Sequence, residues 1–363
     1  MGPMSFFRRA ASKWGGMDEK PIQDAVTIKR LLPLTWRGNI FAWMPQMRAG
    51  WLALLLVAGS ACAQREAPPL YPAKFIRIIV PYAAGAGPDM IGRTLAEKIS
   101  AGLGQNIVFE NRGGGGGVPG TDMVAKASPD GHTFLLQTAN YASYPVFYKN
   151  LPYDPAKDLR PVSLLAKTVG FVLVVNPSLP VANIKDLIAL ARVNPGRLNH
   201  GTSGFGSQAE LFSMTTGVKI TMVRYAGVPA LLTDVISGQI EMGFPAAPSA
   251  MPFIQSGRLR VLGITADKRW SKLPAVPTFM ESGLQGYNLV GWYGLWAPTA
   301  TPDEYVARIQ REVAVAVRDP SIVRRLDEQG IEALGFGARE LAQATVEEYE
   351  LNRRLAPRLQ GGP

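Results

Sequence analysis

From residue 74 onward, short apolar runs alternate with stretches of helical periodicity. The run IRIIV (76–80), closed by Pro81, predicts a strand, and the following PDMIGRTLAEKISAGL carries Ile91, Leu95 and Ile99 four apart, one apolar stripe of a helix. NIVFEN then leads through the glycines 113–117 to a short helix near GTDMVAKA, followed by the strand HTFLLQT and the long apolar stretch VSLLAKTVGFVLVVN. In NIKDLIALARVNPG, Asn183 reads as a helix N-cap, Asp186 lies in the first turn and Gly196 stops the helix. The alternation continues through LNHGTSG, SQAELFSMTTG, ITMVRYAG, VPALLTDVISGQ, IEMGFPA, SAMPFIQSG and RLRVLGIT. Positions 228, 231, 232, 235 and 236 are apolar at helical spacing. Thr301-Pro302-Asp303-Glu304 reads as a capping box ahead of Ile309, Val313 and Val317, and the C-terminal region is expected to be helical. Strand–helix alternation of this kind predicts parallel sheets covered by helices, an α/β architecture.

The N-terminal part follows a different logic. Residues 47–64, MRAGWLALLLVAGSACAQ, place one Arg before the apolar stretch Trp51–Ala58 and the small-residue pattern Ala61-Cys62-Ala63. That stretch is shorter than the ~20 residues a bilayer span needs, and polar, proline-bearing sequence follows it. It reads as an export signal cleaved after about Ala63, with lipidation of Cys62 as the weaker alternative. Met47 opens a good signal by itself, so residues 1–63 are expected to be leader and signal, with the true start at Met47. The net charge of +10 could suggest nucleic acid, but the first 63 residues hold eight Lys/Arg and three Asp/Glu. Removing that surplus of five leaves +5, ordinary for an exported protein. The single Cys goes with the signal, which excludes disulfides and thiolate metal sites from the mature chain.

In open α/β sheets, ligands bind beyond the carboxyl ends of the strands. The elbow PYAAGAGPDMIG (81–92) is such a place, and GTSGFGSQAEL (201–211) repeats it: a strand end, small residues, a helix start. Both would offer backbone N–H groups at a helix N-terminus, suited to a carboxylate or phosphate. The alternative is that small residues merely let strand and helix pack closely; two such loops in different parts of the chain favour two half-sites facing one another. Catalytic chemistry is sparse. His132 and His200 both lie beside predicted strands, and no H-E-x-x-H, G-x-S-x-G or Walker lysine is present. Gly85 and Gly87 are not followed by a third glycine in dinucleotide register. No cofactor, metal or catalytic residue is expected.

The chain resembles the Bug-type substrate-binding proteins of tripartite tricarboxylate transporters across about residues 71–355. The resemblance rests on Tyr71-Pro72-x-Lys74-x-Ile76-Arg77-x-Ile79-Val80-Pro81 with Gly85 and Asp89, and on Glu110-Asn111-Arg112, Asp130-Gly131 and Leu151-Pro152-Tyr153-Asp154-Pro155. Val175-Asn176-Pro177-Ser178, Tyr225-x-Gly227, Pro248-Ser249 and Leu273-Pro274-x-Val276-Pro277-Thr278 complete it. It implies a two-lobe periplasmic binding protein of type II-like fold, with the ligand in the cleft between lobes. By position, Tyr82 would wall the pocket, Ala84, Gly85, Ala86 and Gly87 would present the elbow backbone, and Asp89 would brace it. Thr138 and Asn140 would follow the third strand, Ser203, Gly206 and Ser207 would donate from the second lobe, and Tyr225 and Gly227 would close the site.

Several positions depart from the family pattern: Ala84, Ala86 and Pro88 in the elbow, Phe205 at the tip of the second loop, Ala226 between Tyr225 and Gly227, and Pro245 where an acid is common. A less polar pocket follows, favouring a monocarboxylate or aromatic carboxylate over citrate or a free amino acid, whose ammonium group would want a carboxylate partner. The expected organisation is residues 64–174 as the first part of lobe 1, 175–261 as lobe 2, and 262–363 returning to lobe 1, with the last helices packed on lobe 1. The expected partners are a small organic acid and the membrane subunits of a transporter, with no nucleic acid and a monomeric state. A receptor reporting to a membrane sensor needs the same cleft. An exported enzyme would need a base there, and Asp89 and Glu210 are the candidates, neither with a nameable partner.

Overall fold

The computed structural model describes residues 71–202, 206–225 and 227–360. The expected leader and signal (1–63, with Met47 and Cys62) and Ser203, Phe205 and Ala226 lie outside the described residues.

Two sheets organise the chain. The first contains β1 (Ile76–Val80), β2 (Ile107–Asn111), β3 (Thr133–Thr138), β4 (Leu159–Thr168), β10 (Trp292–Pro298) and β11 (Ile331–Phe336), in the order β11-β4-β10-β3-β1-β2. The second contains β5 (Val172–Val175), β6 (Asn199–Thr202), β7 (Thr221–Arg224), β8 (Met242–Gly243) and β9 (Arg260–Ile264), in the order β7-β6-β8-β5-β9. The helices are α1 (Gly87–Leu103), α2 (Val118–Ala125), α3 (Asn140–Phe147), α4 (Ile184–Val193), α5 (Ser207–Thr216), α6 (Val228–Ser237), α7 (Ala247–Gln255), α8 (Asp303–Ala316), α9 (Pro320–Glu328) and α10 (Ala338–Gln360).

The expected parallel sheets are in fact mixed. β1, β2 and β3 pair in parallel, as do β6, β7 and β8. β10 inserts antiparallel between β3 and β4, β11 runs antiparallel to β4, and β5 runs antiparallel to both β8 and β9. β5 and β10 each follow a lobe crossing, where the chain enters a sheet from the other lobe instead of from its own crossover helix, whereas β11 enters lobe 1's edge directly after α9. Each sheet is covered on both faces. In β1, Ile76, Ile78 and Val80 join the core under α1 and α8, while Ile79 joins Leu135, Tyr141, Trp296 and Leu341 on the other face. In β5, Leu173 and Val175 pack with Leu187, Phe212 and Phe279, while Val172 and Val174 pack with Leu231, Val235 and Trp270.

Asn183 caps α4 as read, its side chain accepting from the Asp186 N–H at 3.0 Å. The capping box at 301–304 does not form. The N-cap position of α8 falls on Pro302, which has no side-chain acceptor, and Arg160 draws in this end of the helix through the Thr301 carbonyl (2.9 Å) and the Asp303 carboxylate (2.7 Å).

The lobe crossings differ from those expected. The stretch read as one apolar run is two strands in two sheets, split at Gly170, whose φ of 112° suits glycine and whose Cβ would stand 3.1 Å from the Ala266 nitrogen. The first crossing is thus at 169–171, before the expected residue 175. The return is near 290, not 262: Phe279, Leu284, Tyr287 and Leu289 remain in the second lobe's core, and β10 begins at Trp292. The last helix, expected on lobe 1 alone, packs on α3 and β4 and also on α5 of lobe 2.

Gly92 lies on the buried face of α1, where a Cβ would come within 2.6 Å of both Leu136 and Phe109. Helix propensity alone would make Gly92→Ala stabilising by about 1 kcal/mol. The crowding reverses the sign, and urea unfolding should show a net loss of roughly 1–3 kcal/mol.

Candidate functional site

A cavity of about 370 Å³ opens where the two lobes meet. Lobe 1 contributes Thr138 at the end of β3 and Asn140 and Ser143 on the first turn and a half of α3. Lobe 2 contributes Gly206, Ser207 and Gln208 at the start of α5, Val228 at the start of α6, and Phe244-Pro245-Ala246 after β8. The crossing segments form the back: Thr168 and Phe171 on the way out, and Leu289 to Tyr293 on the way back. Glu348 and Asn352 of α10 complete it.

Of the residues expected at the site, Thr138, Asn140, Gly206 and Ser207 line this cavity. Gly206 meets two demands at once: its φ is 84°, and a Cβ would stand 2.7 Å from the Met222 sulfur. The first elbow borders the cavity. Tyr82 donates to Gln137 Oε1 and shares a 2.8 Å hydrogen bond with the Thr138 hydroxyl, and Gly87 approaches the Tyr293 phenol so closely that a Cβ would stand 3.2 Å from its oxygen. Burial pushes the Tyr293 hydroxyl up to about 12, so it stays a neutral donor.

Two elbow donors are already committed inside the protein. The Gly85 N–H donates to Asp89 Oδ2 (2.9 Å) and the Ala86 N–H to the Ala83 carbonyl (3.1 Å). Since Pro88 has no N–H and Met90 bonds back to Ala86 (3.0 Å), the Gly87 and Asp89 N–H groups are the ones left at the head of α1. Tyr225 and Gly227 are not among the lining residues: the Tyr225 hydroxyl donates to Asp234 at 2.8 Å, and Gly227 is the N-cap residue just before Val228.

Asp89 is buried at 2% exposure and holds the elbow in shape. Besides Gly85, it accepts from Arg93 at 3.0 Å and from Asn111 at 3.1 Å, and Asn111 also donates to the Tyr82 carbonyl at 3.2 Å. Burial pushes its carboxyl up, but Arg93, Gly85 and Asn111 together outweigh it and hold the group below the usual carboxylate value. Glu210, the other acid considered as a base, is ion-paired with Arg358 of α10. His200 is buried in β6, outside the cavity lining, and burial lowers its pKa to about 4. Both acids are thus held in ion pairs, and His200 stands outside the lining.

The sequence reading missed the rear wall and the contribution of α10. Trp292-Tyr293 stand in GWYGLW, an aromatic run next to a crossing, and Thr345, Glu348 and Asn352 form a polar i, i+3, i+7 stripe on an otherwise apolar-faced helix. That stripe was the available signal.

Residues 91–359 match the family described as tripartite tricarboxylate transporter family receptor, TctC. The chain belongs to that family. BugT of Bordetella pertussis is 33% identical over 282 residues, 76% of this chain and 86% of its own. Among solved structures, R. palustris Rpa4515 with adipate superposes with a TM-score of 0.68 at 32% identity, covering 80% of this chain and 98% of its own. MatC from Rhodopseudomonas palustris with bound malate gives 0.65 at 28% identity, covering 79% and 100%. The family's members are solute-binding receptors of periplasmic-binding-protein fold, and this chain shares that fold and that class of role.

Replacing Asp89 by Asn would keep the shape but remove the charge that Arg93 and Gly85 address. D89N should lose roughly 1–3 kcal/mol at pH 7. Because the native carboxyl lies below its unfolded value near 3.8, its contribution is present above that value and is lost as pH falls through the lower native one. Denaturant titrations across pH 7 to 2 should therefore show wild type and D89N converging at the acid end.

Proposed function

We propose that the protein is an exported periplasmic receptor that closes its two lobes on a small organic acid and passes it to the membrane subunits of a transporter. The observation that carries this reading is the inter-lobe cavity. Hydroxyl, amide and backbone donors from both lobes converge on one space of small-molecule size, with the chain crossings directly behind it. Closure about those crossings would exclude water and strengthen each N–H···carboxylate and O–H···carboxylate bond. The adipate and malate held by the two Rhodopseudomonas relatives support a carboxylate as the ligand here.

On this reading, the first contacts with the carboxylate come from the Gly87 and Asp89 N–H groups, Thr138 and Asn140 of lobe 1, and Gly206 and Ser207 of lobe 2, with Ser203 beside them in sequence. Tyr82, Ala84, Gly85, Ala86, Tyr225 and Gly227 shape the approach. Phe171, Phe244, Trp292 and Tyr293 supply a wall suited to a ring or an alkyl chain, in line with a monocarboxylate or aromatic carboxylate over citrate.

The test is a thermal-shift screen of residues 64–363 with benzoate, 4-hydroxybenzoate, adipate, malate, citrate and glutamate. A true ligand at ~100 times its dissociation constant should add about 2.7 kcal/mol of stability, visible as a rise in Tm. Asn140→Ala should weaken that ligand about tenfold while leaving the unliganded Tm within a degree or two. A screen in which none of these acids shifts the Tm, with protein shown by mass spectrometry to carry no bound acid, refutes the carboxylate reading.

A further inference from the structure

Glu348 is a carboxyl group inside a cavity read as a carboxylate site. Among the described residues lining that cavity it is the one acidic side chain, and no Lys, Arg or His accompanies it. Its position is fixed by the helix it stands on: Asn352, one turn later and only 1% exposed, donates to Glu348 Oε1 at 2.8 Å and to the Glu348 carbonyl at 2.8 Å. Oε1 is thus occupied, and no described residue hydrogen-bonds Oε2.

We infer that Glu348 meets the ligand as a neutral carboxylic acid, donating its Oε2 proton to an acceptor atom of the bound organic acid, so that capture takes up a proton. The inference rests on the carboxylate reading above and adds to it the ligand's second recognition point. An ionised Glu348 would face an incoming anion with no cation between them, and in a desolvated cleft that arrangement is costly. Protonation removes the repulsion and turns the same group into a donor. Acids carrying a second acceptor (a hydroxyl, a carbonyl or another carboxylate) are the class that uses it.

The surroundings agree. Burial pushes the Glu348 carboxyl up to about 7, against the smaller downward pull of Asn352, so neutralising it near pH 7 is nearly free. Facing it across the cavity, Tyr293 on β10 is neutral, and α3 presents Asn140 and Ser143. On its other side Glu348 borders a second cavity, of about 330 Å³, with Lys167 of β4 and with Glu347 and Arg354 of its own helix. Lys167 is drawn toward Glu332 of β11 (3.7 Å) and Asp267 (3.5 Å), and Glu210 of α5 is paired with Arg358.

The test is isothermal titration calorimetry with 4-hydroxybenzoate, adipate, malate and, as the ammonium-bearing comparison, glutamate from pH 6.0 to 8.5, in two buffers of different ionisation enthalpy. For each acid that binds, wild-type affinity should fall about 10–30-fold across that range, and binding near pH 8 should take up close to one proton. E348Q, which keeps a donor of the same shape but cannot titrate, should bind with affinity constant within about twofold over the range. The two-buffer measurement on wild type decides the matter even if E348Q folds poorly. Binding that is flat with pH and takes up no proton overturns the role of Glu348 while leaving the receptor intact. So does glutamate binding that strengthens with pH and is lost in E348Q, since that would make Glu348 an anionic partner for an ammonium group. Absence of binding by all acids at every pH overturns the carboxylate reading itself, and this inference with it.

Discussion

The fold depends on how few hydrogen bonds hold the two lobes in register where the chain passes between them. Thr168 and Gly291 lie face to face at the edge of the first lobe: the Thr168 N–H donates to the Gly291 carbonyl at 2.7 Å, and the Gly291 N–H donates to the Thr168 hydroxyl at 3.0 Å. Thr265 does the same work on the second lobe's side. Its hydroxyl accepts from the Phe171 N–H (3.0 Å) and donates to the Leu289 carbonyl (2.5 Å), while its backbone pairs with Phe171 and Leu289. Thr265 is fully buried, so each of these groups would be left unsatisfied without its partner. The outward and return crossings are thereby tied together at both ends, and the span between ties is only a few residues. The cavity's rear wall is made of these same residues, which makes its shape a direct function of the angle between lobes.

A third element limits that angle. The final helix lies against α3 and β4 but also reaches lobe 2, where Leu351 packs on the core around Phe212 and Arg358 pairs with Glu210. Opening by pure rotation about the crossings would tear this contact. Motion that keeps it must slide α5 along the helix, a small shear added to the hinge. Glu348 lies midway along that helix, where its side chain lines the space between the lobes.

Much of this was legible in the sequence, and the failures have physical causes. Periodicity found β1, α1, α4 and α6 because each has one buried face and a clear stop. It could not divide 159–175, since a run of buried β-branched residues looks the same whether it stays in one sheet or enters another, and a lone Gly170 is weak punctuation. α3 went unread because Pro145 lies inside it and its buried residues, Tyr141 to Tyr144, run consecutively and include a serine, with no apolar stripe at helical spacing. The antiparallel insertion of β10 is a tertiary event with no local signature. Of the small-residue loops read beyond the strand ends, the second brings Gly206 and Ser207 into the cavity lining, while the first borders it. The particular donors could not be read: Asp89 and Ala83 take up the Gly85 and Ala86 N–H groups, a fact of loop closure and not of composition. The contribution of α10 was hidden by distance, with some two hundred residues separating Glu348 from Thr138.

The absence of cations from the described cavity lining has a functional logic. A receptor that must surrender its ligand gains nothing from a buried Arg or Lys, whose pairing with a desolvated carboxylate would be slow to break. Hydrogen bonds from neutral groups to a charged acceptor each contribute about 1.5–3 kcal/mol net. Three or four such bonds give roughly 5–12 kcal/mol, several of which are lost in immobilising a small ligand, so micromolar affinity (about −8 kcal/mol) also draws on apolar contact with Phe171, Phe244, Trp292 and Tyr293. That is tight enough for capture from a dilute compartment and loose enough for release when the lobes part. On this reading the elbow at the head of α1, the loop before α5 and the Glu348–Asn352 pair answer one requirement: to solvate an anion fully with dipoles, without ever neutralising it.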